Sequence, residues 1–211
     1  MFPFLRGASS REPSALPLFP LKTVLFPGGL LPLKVFEQRY ITMTKTCLKD
    51  DSPFGVCLLT RGDEVAGAAA AKSGLALAPI GTLARITAWD MPQLGILHLR
   101  TEGGTRFQVQ THTIAEDGLV VGQVTPLAPE PARALPDAFQ SLASLLELLI
   151  NRVGKENFPA ELALTDASWV SYRLAEILPL RLPIKQSMLE INDSEIRLKV
   201  LAQFLTQQGL I

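Results

Sequence analysis

Pro126-Leu127-Ala128-Pro129-Glu130-Pro131 places three prolines in six residues, and the sequence changes character across it. Proline fixes φ and lacks an amide donor, so such a run favours extended backbone and marks a joint. Thirteen of the 15 glycines precede Pro126, and only Gly154 and Gly209 follow it. Glycine punctuates turns and is costly inside helices. Strands joined by turns are therefore predicted before the joint, and helices after it, which makes an α+β chain. The predicted divisions are a lead-in at 1–14, a strand-rich subdomain at 15–125, a linker at 126–134 and a helical subdomain at 135–211.

Upstream of the joint, Ala15–Leu21 and Leu30–Phe36 are apolar runs of strand length around the turn Phe26-Pro-Gly-Gly29. Their prolines push them toward sheet edges or irregular strands. Glu37–Lys49 is predicted as a helix with Tyr40, Ile41, Thr44 and Leu48 on one face, and Phe54–Thr60 as a buried strand. Arg61–Gly74, with Ala68-Ala-Ala-Ala71 between glycines, is expected to be a mobile excursion, with a short alanine-rich helix of marginal length as the alternative.

Ile80–Trp89, Leu94–Thr101, Thr105–Ile114 and Leu119–Val124 then form a predicted meander. A three-residue loop at Glu102-Gly103-Gly104 would set Leu99 against Phe107 and Leu97 against Val109, with apolar residues on one face. Asp117-Gly118 marks the next turn. Several strands with glycine turns suggest a small, partly closed barrel.

Downstream, Phe139, Leu142, Leu145, Leu146, Leu149 and Val153 recur at helical spacing within Pro136–Val153, ahead of Gly154. A second helix is expected over Asp166–Leu178, capped by Asp166 and stopped by Pro179. A third covers Pro183–Ile191. The last starts with Asn192 as N-cap and Glu195 three residues on, and runs to Gly209.

A chain of 211 residues with 47% hydrophobic and 19% charged residues can bury a core without disulfide or metal staples. Lys+Arg and Asp+Glu each number 20, so the basic footprint of a nucleic-acid or anionic-membrane binder is missing from the overall charge. Cys47 and Cys57 form no CxxC pair and are expected to be reduced and at least partly buried. No apolar run approaches membrane-spanning length, and the first 15 residues lack a signal-peptide pattern. A cytoplasmic protein is expected.

The chemical motifs of common enzymes are missing. Gly154-Lys155 is followed by Glu156, and position 149 is leucine, so the nearest P-loop fragment fails twice. Neither G-x-G-x-x-G nor G-x-S-x-G occurs. In the three-residue-loop register, preferred over a two-residue Gly-Gly turn that would set Leu99 opposite Gln108, His98 faces Gln108, and His112 lies about 13 Å further along, too far to share a metal. Asp50-Asp51 and Asp63-Glu64 fit solvated turns. Arg100 and Arg106 should sit side by side on a polar hairpin face. No catalytic residue, metal site or cofactor is predicted.

Leu16-Pro-Leu-Phe-Pro-Leu21, Val24-Leu-Phe-Pro-Gly28, Leu31-Pro-Leu33 and Phe36-Glu-Gln-Arg-Tyr40 resemble the opening of the Lon protease N-terminal domain. Ile80-Gly-Thr-Leu-Ala-Arg-Ile86 and Gly104-Thr-Arg-Phe107 resemble its next signatures. Ser171-Tyr-Arg-Leu-Ala-Glu176, Leu178-Pro-Leu180, Lys185-Gln186 and Leu189-Glu190 resemble its helical close. The resemblance covers about Leu16–Leu205. It implies a PUA-like β-barrel of about six strands plus one helix, followed by a C-terminal α-helical bundle. It also implies a substrate-recognition module, here without ATPase or protease modules, and so not an enzyme. Most of these motif residues have structural readings. Gly81 and Gly104 would serve unusual backbone or close packing, Phe107 the barrel interior, Arg39 and Tyr40 a helix-to-sheet tie, and Arg173–Glu176 an ion pair.

The expected partner is a protein or unfolded polypeptide, met at the proline-interrupted edge by Pro27, Leu31, Leu33, Phe36 and Tyr40. Packing inside the barrel is the competing reading for Leu31, Leu33 and Phe36. The alternatives are an RNA-binding PUA-like protein, disfavoured by zero net charge and 7% aromatic content, and a structural subunit that forms homo-oligomers or docks on a separate AAA+ protease. No membrane contact is expected.

Overall fold

A computed structural model of the chain describes residues 12–62 and 74–210. Most of the predicted lead-in, and nearly all of the alanine-rich excursion, lie outside these residues. The chain forms two compact units. The first holds the described residues up to Pro27 together with Leu31–Ala128; the second holds Gly28–Leu30 together with the described residues from Pro129 onward.

The first unit contains β1 (Ser14–Leu21), β2 (Leu30–Val35), α1 (Gln38–Asp50), β3 (Phe54–Arg61), β4 (Ala76–Leu77), β5 (Ile80–Gln93), β6 (Ile96–Ile114) and β7 (Val120–Pro126). The sheet runs in the order β1-β7-β6-β5-β3-β4. A parallel β1–β3 pairing, with Leu18 opposite Gly55, closes the hydrogen-bonded path through β7, β6 and β5 into a ring. β2 pairs with β6 off this path.

Alternation along the strands fills two apolar clusters. Leu16 and Leu18 of β1 join Cys57, Phe107, Val120 and Val124. Phe19 points the other way, to Tyr40, Met43, Phe54, Val56, Leu97 and Leu99. β1 and β3 are thus covered on both faces, which explains why they read as continuous apolar runs. α1 lies over the second cluster through Tyr40, Ile41, Met43, Thr44 and Cys47. Leu48, expected on that face, is exposed, because the buried stripe steps from Tyr40 through Met43 and Thr44 to Cys47.

The hairpin expected at Glu102-Gly103-Gly104 is not there. β6 passes through these residues without turning, and the reversal falls at Leu94-Gly95, where Gly95 takes φ 81°. Trp89 therefore faces Leu99, and Asp90 faces His98. Arg100 pairs with Ala88 while Arg106 is buried opposite Thr82, so the two arginines do not share a patch. The glycine at 103 answers to crowding instead. A Cβ there would collide with the Phe26 carbonyl oxygen, where the segment Val24–Phe26 crosses β6. Thr82 Oγ1 holds that segment by donating to the Leu25 carbonyl at 2.6 Å. Gly81 is equally confined, since a Cβ would lie 2.6 Å from the Phe107 ring and the Val56 carbonyl oxygen. Gly104 has ordinary room and no positive φ, against expectation.

The second unit contains α2 (Gln140–Val153), α3 (Ala167–Ile177), α4 (Leu182–Glu190) and α5 (Ser194–Gln207), with 3₁₀ turns at Asp137–Phe139 and Lys155–Asn157. The first of these turns replaces the opening of the helix expected from Pro136. α3 is the centre, touching α2, α4 and α5. Asp166 caps it as expected, its carboxylate accepting from the Trp169 amide at 2.6 Å. The cap of α5 is Asp193 rather than Asn192; its Oδ1 accepts from Glu195 and Ile196 amides. Leu198, Leu201 and Leu205 are buried, whereas Ile196 and Val200 are exposed.

The buried face of α5 also holds an arginine. Arg197 donates from Nη2 to Glu130 Oε2 at 2.6 Å and to Ser168 Oγ at 3.1 Å, from Nε to Ser171 Oγ at 3.0 Å, and from Nη1 to the Ile191 carbonyl at 2.8 Å. Its guanidinium stands 3.9 Å from the Tyr172 ring centroid. A buried cation persists when its donors find acceptors and its charge a partner, and here both conditions are met.

Candidate functional site: an outer trough beside strand β2

β2 alternates. Leu31 and Leu33 pack against the Tyr40 cluster and Val35 is buried in it, while Pro32 and Lys34 face outward and are exposed. Phe36, just past the strand, is 51% exposed. Pro27 is half-buried. Tyr40 is 3% exposed, its ring stacked on Phe19 at 4.0 Å between centroids and 8° between planes. Tyr40 therefore supports this surface from behind. Of the five residues predicted for it, Phe36 is the one with a largely accessible side chain.

Arg39 makes the expected tie from α1 to the sheet. Nη1 donates to the Gly118 carbonyl at 2.8 Å, Nη2 meets Glu37 Oε2 at 2.8 Å, and the guanidinium lies 4.6 Å from the Tyr40 ring centroid. This holds the start of α1, and with it the end of β2, against the sheet.

Next to β2 the sheet forms an open trough of about 480 Å³, lined by Pro32, Leu33, Lys34, Ala88, Trp89, Asp90, His98, Leu99 and Arg100. Alternation sorts these residues. Leu97 and Leu99 point to the core, so His98 and Arg100 face outward, together with Asp90 and Ala88 opposite them. Trp89 shares the face of Leu99, but its strand has run past the core and the ring is 54% exposed. Met91 and Leu94 continue this exposed apolar ribbon to the turn. Sequence reasoning missed the trough because it set a register only at Glu102-Gly103-Gly104 and none between Ile80–Trp89 and Leu94–Thr101, where Trp89 meets Leu99. The signal that would have found it is the Leu94-Gly95 pair read as a two-residue turn.

Both cysteine thiols are buried and held protonated. Burial pushes the Cys57 thiol up to about 12, with no opposing influence. Burial also drives Cys47 up to about 11, assisted by Asp50 and opposed by a hydrogen bond with Ser52. Thiolate is the nucleophile, so neither cysteine is reactive near neutral pH. His98 is exposed across from Asp90, and His112 is half-buried opposite Gly122. Among the described residues, no group of three His, Cys, Asp or Glu side chains could hold a metal ion. In the helical unit, burial raises the Glu176 carboxyl against the pull of Arg173 and Lys185. Burial likewise lowers Lys185, whose Nζ donates to the Glu176 carbonyl at 2.6 Å. Arg173 pairs with Glu176 at 3.2 Å, as the i,i+3 spacing predicts.

Residues 15–207 match the family of the ATP-dependent protease La (LON) substrate-binding domain, and the chain belongs to that family. It is 27% identical over 217 residues to Lon protease 2 of Myxococcus xanthus, an alignment covering 93% of this chain and 24% of that protein. Lon protease of Anaeromyxobacter dehalogenans is also 27% identical, covering 93% of this chain and 23% of its own length. The chain thus spans about a quarter of these relatives (24% and 23%). Among solved structures, a Lon N-terminal domain protein from Xanthomonas campestris superposes with a TM-score of 0.73 at 36% identity, covering 90% of this chain and 98% of that one. The N-terminal domain of the Mycobacterium avium complex Lon protease shares the fold, with a TM-score of 0.60 at 18% identity, covering 92% of this chain and 98% of its own. Among the described residues, no helix is long and apolar enough to cross a membrane.

Proposed function

We propose that this chain is a non-catalytic module that binds extended or unfolded segments of other proteins, in the cytoplasm, without ATPase or peptidase chemistry of its own. The observation that carries the reading is the match to the Lon substrate-binding domain family over residues 15–207. In this reading the closed strand path is a PUA-like barrel, α2–α5 form a helical bundle, and residues 126–134 are the joint. The binding surface is β2 and the trough beside it. The strand pairing found for β2 among the described residues is with β6, and an edge strand offers backbone groups to an incoming peptide. Phe36 and Pro27 supply apolar contact, Leu31 and Leu33 floor it from the core side, and Tyr40 braces it. A separate AAA+ protease or a second copy of the chain is a further protein partner in the same reading.

The test is fluorescence anisotropy of a labelled, permanently unfolded polypeptide titrated with the purified protein at low and high salt. Binding near 10 μM, on the order of −7 kcal/mol, that survives added salt is expected. Phe36→Ala should weaken it by about fivefold, as for an apolar contact worth about 1 kcal/mol. Absence of binding, or binding abolished by salt, contradicts the reading.

A further inference from the structure

We propose that the trough selects for acid: its occupant is an extended protein segment in which an apolar residue is flanked by carboxylates. This rests on the proposed function and specifies its substrate class. The argument comes from the charges that line the trough. Some exposed cations elsewhere are paired: Arg85 meets Asp51 at 3.2 Å, Lys199 meets Glu195 at 2.8 Å, and Arg133 meets Asp193 at 3.7 Å. Lys34 and Arg100 are not. Both line the trough, both are exposed, and among the described residues neither side chain has an ion pair or hydrogen bond.

The trough's one carboxylate, Asp90, is partly engaged, with Oδ1 accepting the Met91 amide at 2.7 Å. His98 stands across from it. Glu102, two residues beyond Arg100 on the same face, lies outside the trough and opposite Arg85. A ligand lying along β2 therefore meets two uncommitted cations with apolar Pro32 and Ala88 beside them. A carboxylate finds an unpaired partner there, and a lysine meets like charge. Complementary charge discriminates between ligands more than it adds affinity.

Three labelled peptides test this against the full chain. They share one apolar core and are flanked by Glu pairs, Ser pairs or Lys pairs. The Glu-flanked peptide should bind roughly fivefold tighter than the Ser-flanked one and the Lys-flanked one weakest, as for one or two exposed ion pairs. The preference should shrink with salt while binding persists. The double variant Lys34→Glu/Arg100→Glu should reverse the order with an unchanged melting curve, since both side chains are exposed. Equal binding of all three peptides, or an order unaltered by the double variant, overturns the acid preference and leaves the peptide-binding reading standing. No binding by any peptide overturns both. Tighter binding of a short single-stranded RNA than of the Glu-flanked peptide overturns the proposal in favour of phosphate.

Discussion

In the strand-rich unit several glycines sit where a Cβ would not fit, and in the helical unit the largest fully buried side chains are arginines. An added Cβ would strike the Phe26 carbonyl oxygen of a crossing segment at Gly103, and the Val56 carbonyl oxygen of the neighbouring strand β3 at Gly81. In the helical unit Arg173 and Arg197 are completely buried, in contact with Glu176 and Glu130. The first unit is specified by atoms that must be missing, and the second by charges that must be answered. The two should fail under opposite substitutions, one by addition and the other by removal.

The largest effect is expected from removal. Arg197→Ala orphans Glu130, and breaking one side of a buried pair costs about 3–5 kcal/mol. Urea denaturation measures it. Arg197→Met with Glu130→Gln should recover more than half of that loss, because the penalty lies in the uncompensated charge. A loss below about 1 kcal/mol for Arg197→Ala would end the contrast, since surface-like substitutions cost that little.

Addition comes next. Gly103→Ala should cost about 1–3 kcal/mol, the range for overpacking. Gly104→Ala, whose nearest neighbour would be the Leu83 carbonyl oxygen at 3.6 Å, should stay within about 0.5 kcal/mol of wild type. Equal costs at the two glycines would mean that backbone flexibility, and not crowding, decides. A third, smaller loss tests local encoding: Asp166→Ala removes the α3 cap and should cost about 1 kcal/mol.

The two buried cysteines add no pH dependence at neutrality. Cys47 and Cys57 have folded-state values raised to about 11 and about 12 from 9.0, so the folded state releases these protons later than the unfolded chain. Their contribution is intact below pH 9 and is lost as pH rises toward 11–12. Melting temperatures of the wild type and of Cys47→Ala/Cys57→Ala should run parallel below pH 9, with the wild type falling faster above it.

What could be read from the sequence follows the same division. The glycine partition around Pro126 anticipates a strand-rich unit and a helical one. Asp166, the Arg173–Glu176 pair and buried Phe107 stand where local pattern puts them, because each depends on neighbours within a turn or on simple alternation. The hairpin was misread because two glycines in a row signal a turn locally, whereas Gly103 answers to Phe26, far away in sequence. Arg197 was invisible for the same reason: its partners Glu130, Ser168 and Ser171 come from other segments. The candidate site was half legible. Pattern found β2 and Phe36, and the true register was needed to bring Trp89, Asp90 and Arg100 beside Lys34.

The central claim is that the β2–β6–β5 face, and not the helical unit, receives protein segments. Amide hydrogen exchange, with and without a saturating unfolded polypeptide, tests it directly. Slowed exchange in Leu30–Val35, in the Ala88–Asp90 stretch of β5 and in the His98–Arg100 stretch of β6, with α2–α5 unchanged, is the predicted result. Protection confined to α2–α5, or none anywhere with the polypeptide bound, would contradict the account.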